Sequence, residues 1–145
     1  MKTILKIGLI IVIIAISNRI GFCDTIDYYH VYYNNKKIKE YNQHDLNKEN
    51  SISFQTNSKK KSDKLTVKYF NDTPCRDCKF FIQVKSQTDD KIISENSNIG
   101  QFEPLTINLN DLVKFQKFNQ ENIFGVYYYE KDKSNIRQLF KIKLE

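Results

Sequence analysis

The sequence contains no tryptophan, and its single methionine is Met1. The first absence removes the ring on which sugar-binding sheets commonly stack their ligands. The second leaves a soft cation such as Cu(I) without thioether ligands. The four glycines form neither a GxGxxG fingerprint nor a phosphate-cradling P-loop. The two histidines, His30 and His44, fall at no zinc-ligand spacing, and HExxH and Ser-His-Asp patterns are missing. Carboxylates are present but not arranged: Asp89-Asp90 lies in a turn-forming run, and "TDDK" is too short for a calcium loop. The chain therefore reads as non-catalytic, with no metal and no cofactor.

No apolar run is long enough to cross a bilayer. The longest, Ile7 to Ile16, has about ten residues where roughly 20 are needed. It follows Lys2 and Lys6 and gives way to Ser17, Asn18 and Arg19, the layout of a secretory signal peptide. Small residues at −3 and −1 favour cleavage after Gly21-Phe22-Cys23, giving a signal peptide over 1–23 and one mature domain over 24–145. Cleavage after Ala15-Ile16-Ser17 would instead retain Cys23. Lipidation of Cys23, which would make the protein an anchored envelope component, is a third reading, opposed by bulky Phe22 where a lipobox has a small residue. The expectation is a secreted, periplasmic or cell-envelope protein, in contact with membrane only if Cys23 is lipidated.

Charge of one sign is also scarce. Residues 1–23 carry Lys2, Lys6 and Arg19 and no acid. Of 23 basic and 17 acidic residues, 20 and 17 therefore remain after cleavage, a net charge of +3. The one basic cluster, "KKKSDK" over 59–64, reads as a solvated loop between strands, so nucleic acid is not the expected partner.

What the chain does have is alternation. "YYHVYYNNKKIKEYN" reads as strand, Asn34-Asn35 turn, strand. "SISFQT", "KLTVKYF" and "KFFIQVK" each set apolar residues against polar ones with period two, as does "PLTINLN" after Pro104. "KIISEN" adds a short strand, and "NIFGVYYYEKDKSNIRQLFKIKLE" forms a closing hairpin turned by "KDKSN". One segment breaks the period: "LNDLVKFQKFNQ", with Asn110 as N-cap and Leu112, Val113 and Phe115 at helical offsets, predicts about two turns of helix. Seven to nine short strands with one connecting helix predict an all-β fold, a single antiparallel β-sandwich of immunoglobulin-like or similar type. A small closed barrel is the alternative, disfavoured by the shortage of glycine for its corners.

Into this pattern falls "DTPCRDC", with Cys75 and Cys78 in Cys-x-x-Cys spacing. A redox site needs the first cysteine at a helix N-terminus, whereas Cys78 runs directly into a strand, with Asp72 and Asp77 opposing a thiolate. A zinc clip would need both histidines, and copper would have two thiolates alone. A local disulfide bracing the loop is the favoured reading, with redox or Cu/Zn binding as the competitor. Asn71-Asp72-Thr73 is an N-glycosylation sequon made poor by Pro74.

Tyrosine is abundant, with nine in the chain. Alternation sends Tyr28 and Tyr32 to one side of the first strand and Tyr127 and Tyr129 to one side of a late one. Were those strands neighbours, the four would form one exposed strip suited to contacting a protein or cell-surface component. The segments "YHVYYNNKKIKEY", "LTVKYFNDTPCRDCKFF", "FGVYYYE" and "LFKIKLE" together resemble small, uncharacterised exported β-sandwich proteins. That resemblance spans most of the mature chain and implies export and a sandwich, without an activity or site residues. The combined expectation is an exported, non-catalytic binding module.

Overall fold

The computed structural model describes residues 27–45, 48–58, 60–70, 75–131 and 136–145. The signal segment with Cys23 and the Asn71–Thr73 sequon lie outside them. Among these residues nine strands form: β1 (Tyr28–Tyr33), β2 (Lys36–Asn42), β3 (Ser51–Phe54), β4 (Lys64–Phe70), β5 (Lys79–Ser86), β6 (Ile92–Ile99), β7 (Leu105–Asn108), β8 (Ile123–Glu130) and β9 (Arg137–Leu144). Among the described residues an α-helix, α1 (Leu109–Asn119), links β7 to β8, and single 3-10 turns lie at Gln43–Asp45 and Thr56–Ser58. The strands make a four-stranded sheet, β2-β1-β4-β7, and a five-stranded sheet, β3-β9-β8-β5-β6. The fold is thus an all-β sandwich and not a closed barrel.

Alternation predicted the burial. Val31, Leu65, Val67 and Ile107 from one sheet face Ile82, Val84, Phe124, Val126 and Ile142 from the other, all fully buried. Two expectations need correction. The sheets are not wholly antiparallel: β3 runs parallel to β9, from Ser51↔Lys141 to Phe54↔Leu144. A hairpin forces antiparallel pairing, but β3 reaches its partner by crossing from β2, an edge strand of the other sheet, which leaves direction free. Helix α1 starts two residues earlier than predicted. Asn108, not Asn110, is the N-cap, and its side chain accepts the Asn110 N–H at 3.0 Å. Leu109 is therefore helical, with Leu112 buried beside it.

The Asn34-Asn35 turn is left-handed at both residues (φ 46° and 70°), as a tight hairpin requires. Its tip is pinned to the start of β4. Asn34 Nδ2 donates to Asp63 Oδ1 at 3.0 Å, and Tyr33 OH donates to Asp63 Oδ2 at 2.6 Å. Within the basic cluster, Lys60, Lys61 and Lys64 are solvated as predicted, but Asp63 is only 3% exposed.

Aromatic rings fill the space between the sheets. Tyr69 stacks on Tyr128 at 4.4 Å, and Phe140 lies 6.4 Å from Tyr29 and 6.2 Å from Tyr41. Each buried phenol also brings a hydroxyl that needs a partner. Tyr29 OH donates across the sandwich to the Leu139 carbonyl at 2.5 Å. Leu139 sits where the β8–β9 register slips between Val126 and Tyr127, and such a bulge takes a residue out of the ladder. Tyr69 OH donates to Asp27 Oδ2 at 2.7 Å, and Arg137 Nη1 bonds both groups, tying β9 to the other sheet. Along the remaining seam, side chains replace a backbone ladder. Asn96 of β6 accepts the Thr106 N–H at 3.0 Å, and Asn98 Nδ2 donates to the Pro104 carbonyl at 3.3 Å.

Replacing Tyr29 by Phe keeps the ring and removes the cross-sheet donor. It is expected to lower stability by about 1–3 kcal/mol, since the buried Leu139 carbonyl loses its partner, read from urea midpoints. A second expectation concerns alkali. Burial pushes the Tyr29, Tyr69 and Tyr128 hydroxyls far above their ordinary value, and pushes Tyr129 up to about 12 with help from Glu95. Above pH 10 the unfolded chain sheds phenolic protons that the native chain keeps. Stability is then complete below pH 10 and falls as pH rises toward 12, by up to about 1.4 kcal/mol per pH unit for each such tyrosine. Urea midpoints at about pH 9 and about pH 11 check this.

Candidate functional site

Cys75 and Cys78 form a disulfide, with Cα atoms 5.4 Å apart. No helix follows; Cys78 is joined directly to β5, as the sequence predicted. The four-residue loop is clasped by the turn between β6 and β7. The Gly100 N–H donates to the Cys78 carbonyl at 3.0 Å and the Gln101 N–H to the Cys75 carbonyl at 3.1 Å. The Gln101 side chain returns to accept the Cys75 N–H at 3.2 Å, and the residue is 5% exposed. Gly100 makes this approach possible. Its φ is +89°, and a Cβ there would lie 3.2 Å from the Arg76 carbonyl oxygen. Among the described residues, no group of three or more His, Cys, Asp or Glu side chains could hold a metal ion.

The strands that carry the four tyrosines are not neighbours, so the four do not make one strip. β1 and β8 belong to different sheets, so Tyr28 and Tyr32 stand on the outer face of one and Tyr127 and Tyr129 on the outer face of the other. Alternation fixes a residue's side of its own strand but not which sheet the strand joins. Tyr129 is also 1% exposed, stacked on Phe81 at 4.9 Å and hydrogen-bonded to Gln83 and Glu95. Tyr127 is half-buried, with Lys85 Nζ 5.2 Å from its ring centroid.

The other half of the strip is extended by residues that sequence reading left out. β1 pairs with β4 in the register Tyr28↔Phe70, His30↔Lys68 and Tyr32↔Thr66, which aligns their outward side chains. Tyr28 stacks on Phe70 at 4.8 Å with planes 13° apart. His30 lies 5.4 Å from Tyr28, 5.0 Å from Phe70 and 6.2 Å from Tyr32. Phe102, on the turn that holds the disulfide loop, reaches Phe70 at 5.6 Å. The result is a continuous run of five rings, with Tyr28 38% and Phe102 49% exposed. Beside Tyr32 it opens into a groove of about 370 Å³, lined also by Lys64, Thr66, Lys68, Pro104 and Thr106. His30 Nε2 is 3.1 Å from Glu40 Oε2, which also takes Lys37 Nζ at 2.8 Å. These contacts, Lys37 foremost, hold the Glu40 carboxyl below its ordinary range. The signal for Phe70 was in the sequence, since Thr66, Lys68 and Phe70 alternate together. Phe102 and Gln101 had none, because both are placed by tertiary contact.

Comparison with known protein families, with curated proteins and with solved structures returned no match.

Replacing both cysteines by serine is expected to cost about 2 kcal/mol, the scale for a loop this short, and to speed hydrogen exchange at the Gly100 and Gln101 amides. Amide exchange followed by NMR checks both. Unchanged protection at those two amides would mean that the hydrogen bonds hold the loop without the sulfur link.

Proposed function

We propose that the chain is an exported, non-catalytic binding module whose contact surface is the outer face of the four-stranded sheet. The observation that carries this is the five-ring run. Scattered exposed apolar residues are ordinary, but rings from β1, β4 and the β6–β7 turn in continuous contact make a patch, and patches mark contact sites. Tyrosine and phenylalanine are enriched at such interfaces because each offers large area at low entropic cost. The Cys75–Cys78 disulfide supports export, since such bonds persist in oxidising compartments.

The occupant we assign is a protein. A glycan needs an open ring face to stack on. Here Tyr28 and Phe70 spend a face each on one another, and ring edges carry the positive rim of the quadrupole. Edges and hydroxyls suit the carbonyl and carboxylate oxygens of a polypeptide.

A photo-crosslinking phenylalanine analogue at position 102, with position 127 on the opposite sheet as control, tests this in the natively produced protein. The expected result is a protein adduct at 102, absent at 127 and lost when Tyr28 and Tyr32 are both changed to Ser. Adducts at 127 alone, equal adducts at both positions, or none at either would overturn the assignment. Circular dichroism confirms that each variant remains folded.

A further inference from the structure

We infer that the partner segment on this face is an extended acidic peptide, with two carboxylates four residues apart and an apolar side chain two residues beyond the second. The inference rests on the outer face being the contact surface and adds the chemistry of what it holds.

The outward side chains of β4 run Lys64, Thr66, Lys68, Phe70. At a strand rise of about 3.3 Å per residue, Lys64 and Lys68 stand about 13 Å apart along the strand. A ligand chain in the same extended conformation has the same repeat, so its residues i and i+4 meet the two lysines. Residue i+6 then falls over Phe70, where Tyr28 and Phe102 complete an apolar seat.

Charge on the face points the same way. On β1, β2 and β4 the described outward basic groups are Lys37, Lys64, Lys68 and His30, and the outward acid is Glu40, already engaged by Lys37 and His30. Glu103, next to Phe102 on the β6–β7 turn, is exposed as well. Among the described residues, neither Lys64 nor Lys68 has a carboxylate within ion-pair distance. Lys68 Nζ lies 5.8 Å from the Tyr32 ring centroid, which holds the ammonium over the groove. Two positive charges with no carboxylate among the described residues at ion-pair distance form one half of a complementary pair, and such pairs select a partner by suppressing wrong ones.

Between the lysines, Thr66 and Thr106 stand directly opposite in the β4–β7 register. Both line the groove. The edge of the sheet is less suited to the role. The Thr106 N–H, which an added strand would seek, is already taken by Asn96. The ligand therefore lies on the face and is read through its side chains. A sulfated glycan would bring dense charge to only two widely spaced lysines and nothing apolar for the ring seat.

The probe is a fluorescein-labelled ten-residue peptide with Glu at its third and seventh positions and Leu at its ninth, followed by fluorescence anisotropy. Saturable binding is expected that weakens with added salt. It should fall at least about tenfold for Lys64→Glu/Lys68→Glu and when one Glu is moved by a single position. Absence of binding to the wild-type protein, indifference to charge reversal, or preference for a heparin-derived oligosaccharide would overturn the inference. The crosslink from position 102 separates the two readings. If it persists in the charge-reversed protein, the acidic ligand is wrong and the contact face stands. If it is missing from the wild-type protein, the face itself is wrong.

Discussion

The sandwich is built around tyrosines used as core residues, and much of its polar architecture follows from that choice. A chain with no tryptophan must obtain bulk from Phe and Tyr. Phenylalanine brings volume alone. Tyrosine brings volume and a hydroxyl that costs free energy if buried without a partner. Tyr29, Tyr33, Tyr69 and Tyr129 send theirs to Leu139, Asp63, Asp27 and Glu95. The Tyr29 bond crosses from one sheet to the other, and Arg137 of β9 joins the Tyr69–Asp27 pair, so these two phenols tie the sheets together, while Tyr33 and Tyr129 are satisfied within their own sheets. Tyr128 is the exception, a buried hydroxyl with no hydrogen bond among the described residues. It stacks between Tyr69 at 4.4 Å and Phe80 at 5.7 Å, and ring packing holds it there.

Local periodicity carried most of the strand assignment, because side chains alternate whatever a strand pairs with. β4 and β5 were legible in full for that reason, and the Asn34-Asn35 turn because two adjacent residues tolerant of left-handed backbone are rarely placed otherwise. Two of the errors share one cause. Sheet membership is decided by which way a connection crosses, and no local pattern records that. β3 therefore took an unforeseen parallel partner, and Tyr28 and Tyr127 parted to opposite faces. The helix start was misplaced because Asn108 and Asn110 are equally good caps by type. The choice went to the one that lets Leu109 and Leu112 both reach the core.

The disulfide and the aromatic run are mechanically one feature. Cys75 and Cys78 fix the loop, the loop holds Gly100 and Gln101, and the next residue, Phe102, ends the run of rings. The staple thus positions the last contact of the proposed surface as well as bracing a connection. Gln101 is the hinge between these roles, with its backbone and side chain both engaged on Cys75.

The parallel pairing of β3 with β9 bears on when the molecule can assemble. Ser51 waits for Lys141, so one edge of the five-stranded sheet has no partner through most of synthesis. Contacts this distant in sequence slow the search for the native arrangement, because loop closure must come before the contacts that reward it. β3 can therefore join its sheet only once β9 is in place, whatever order the other strands take.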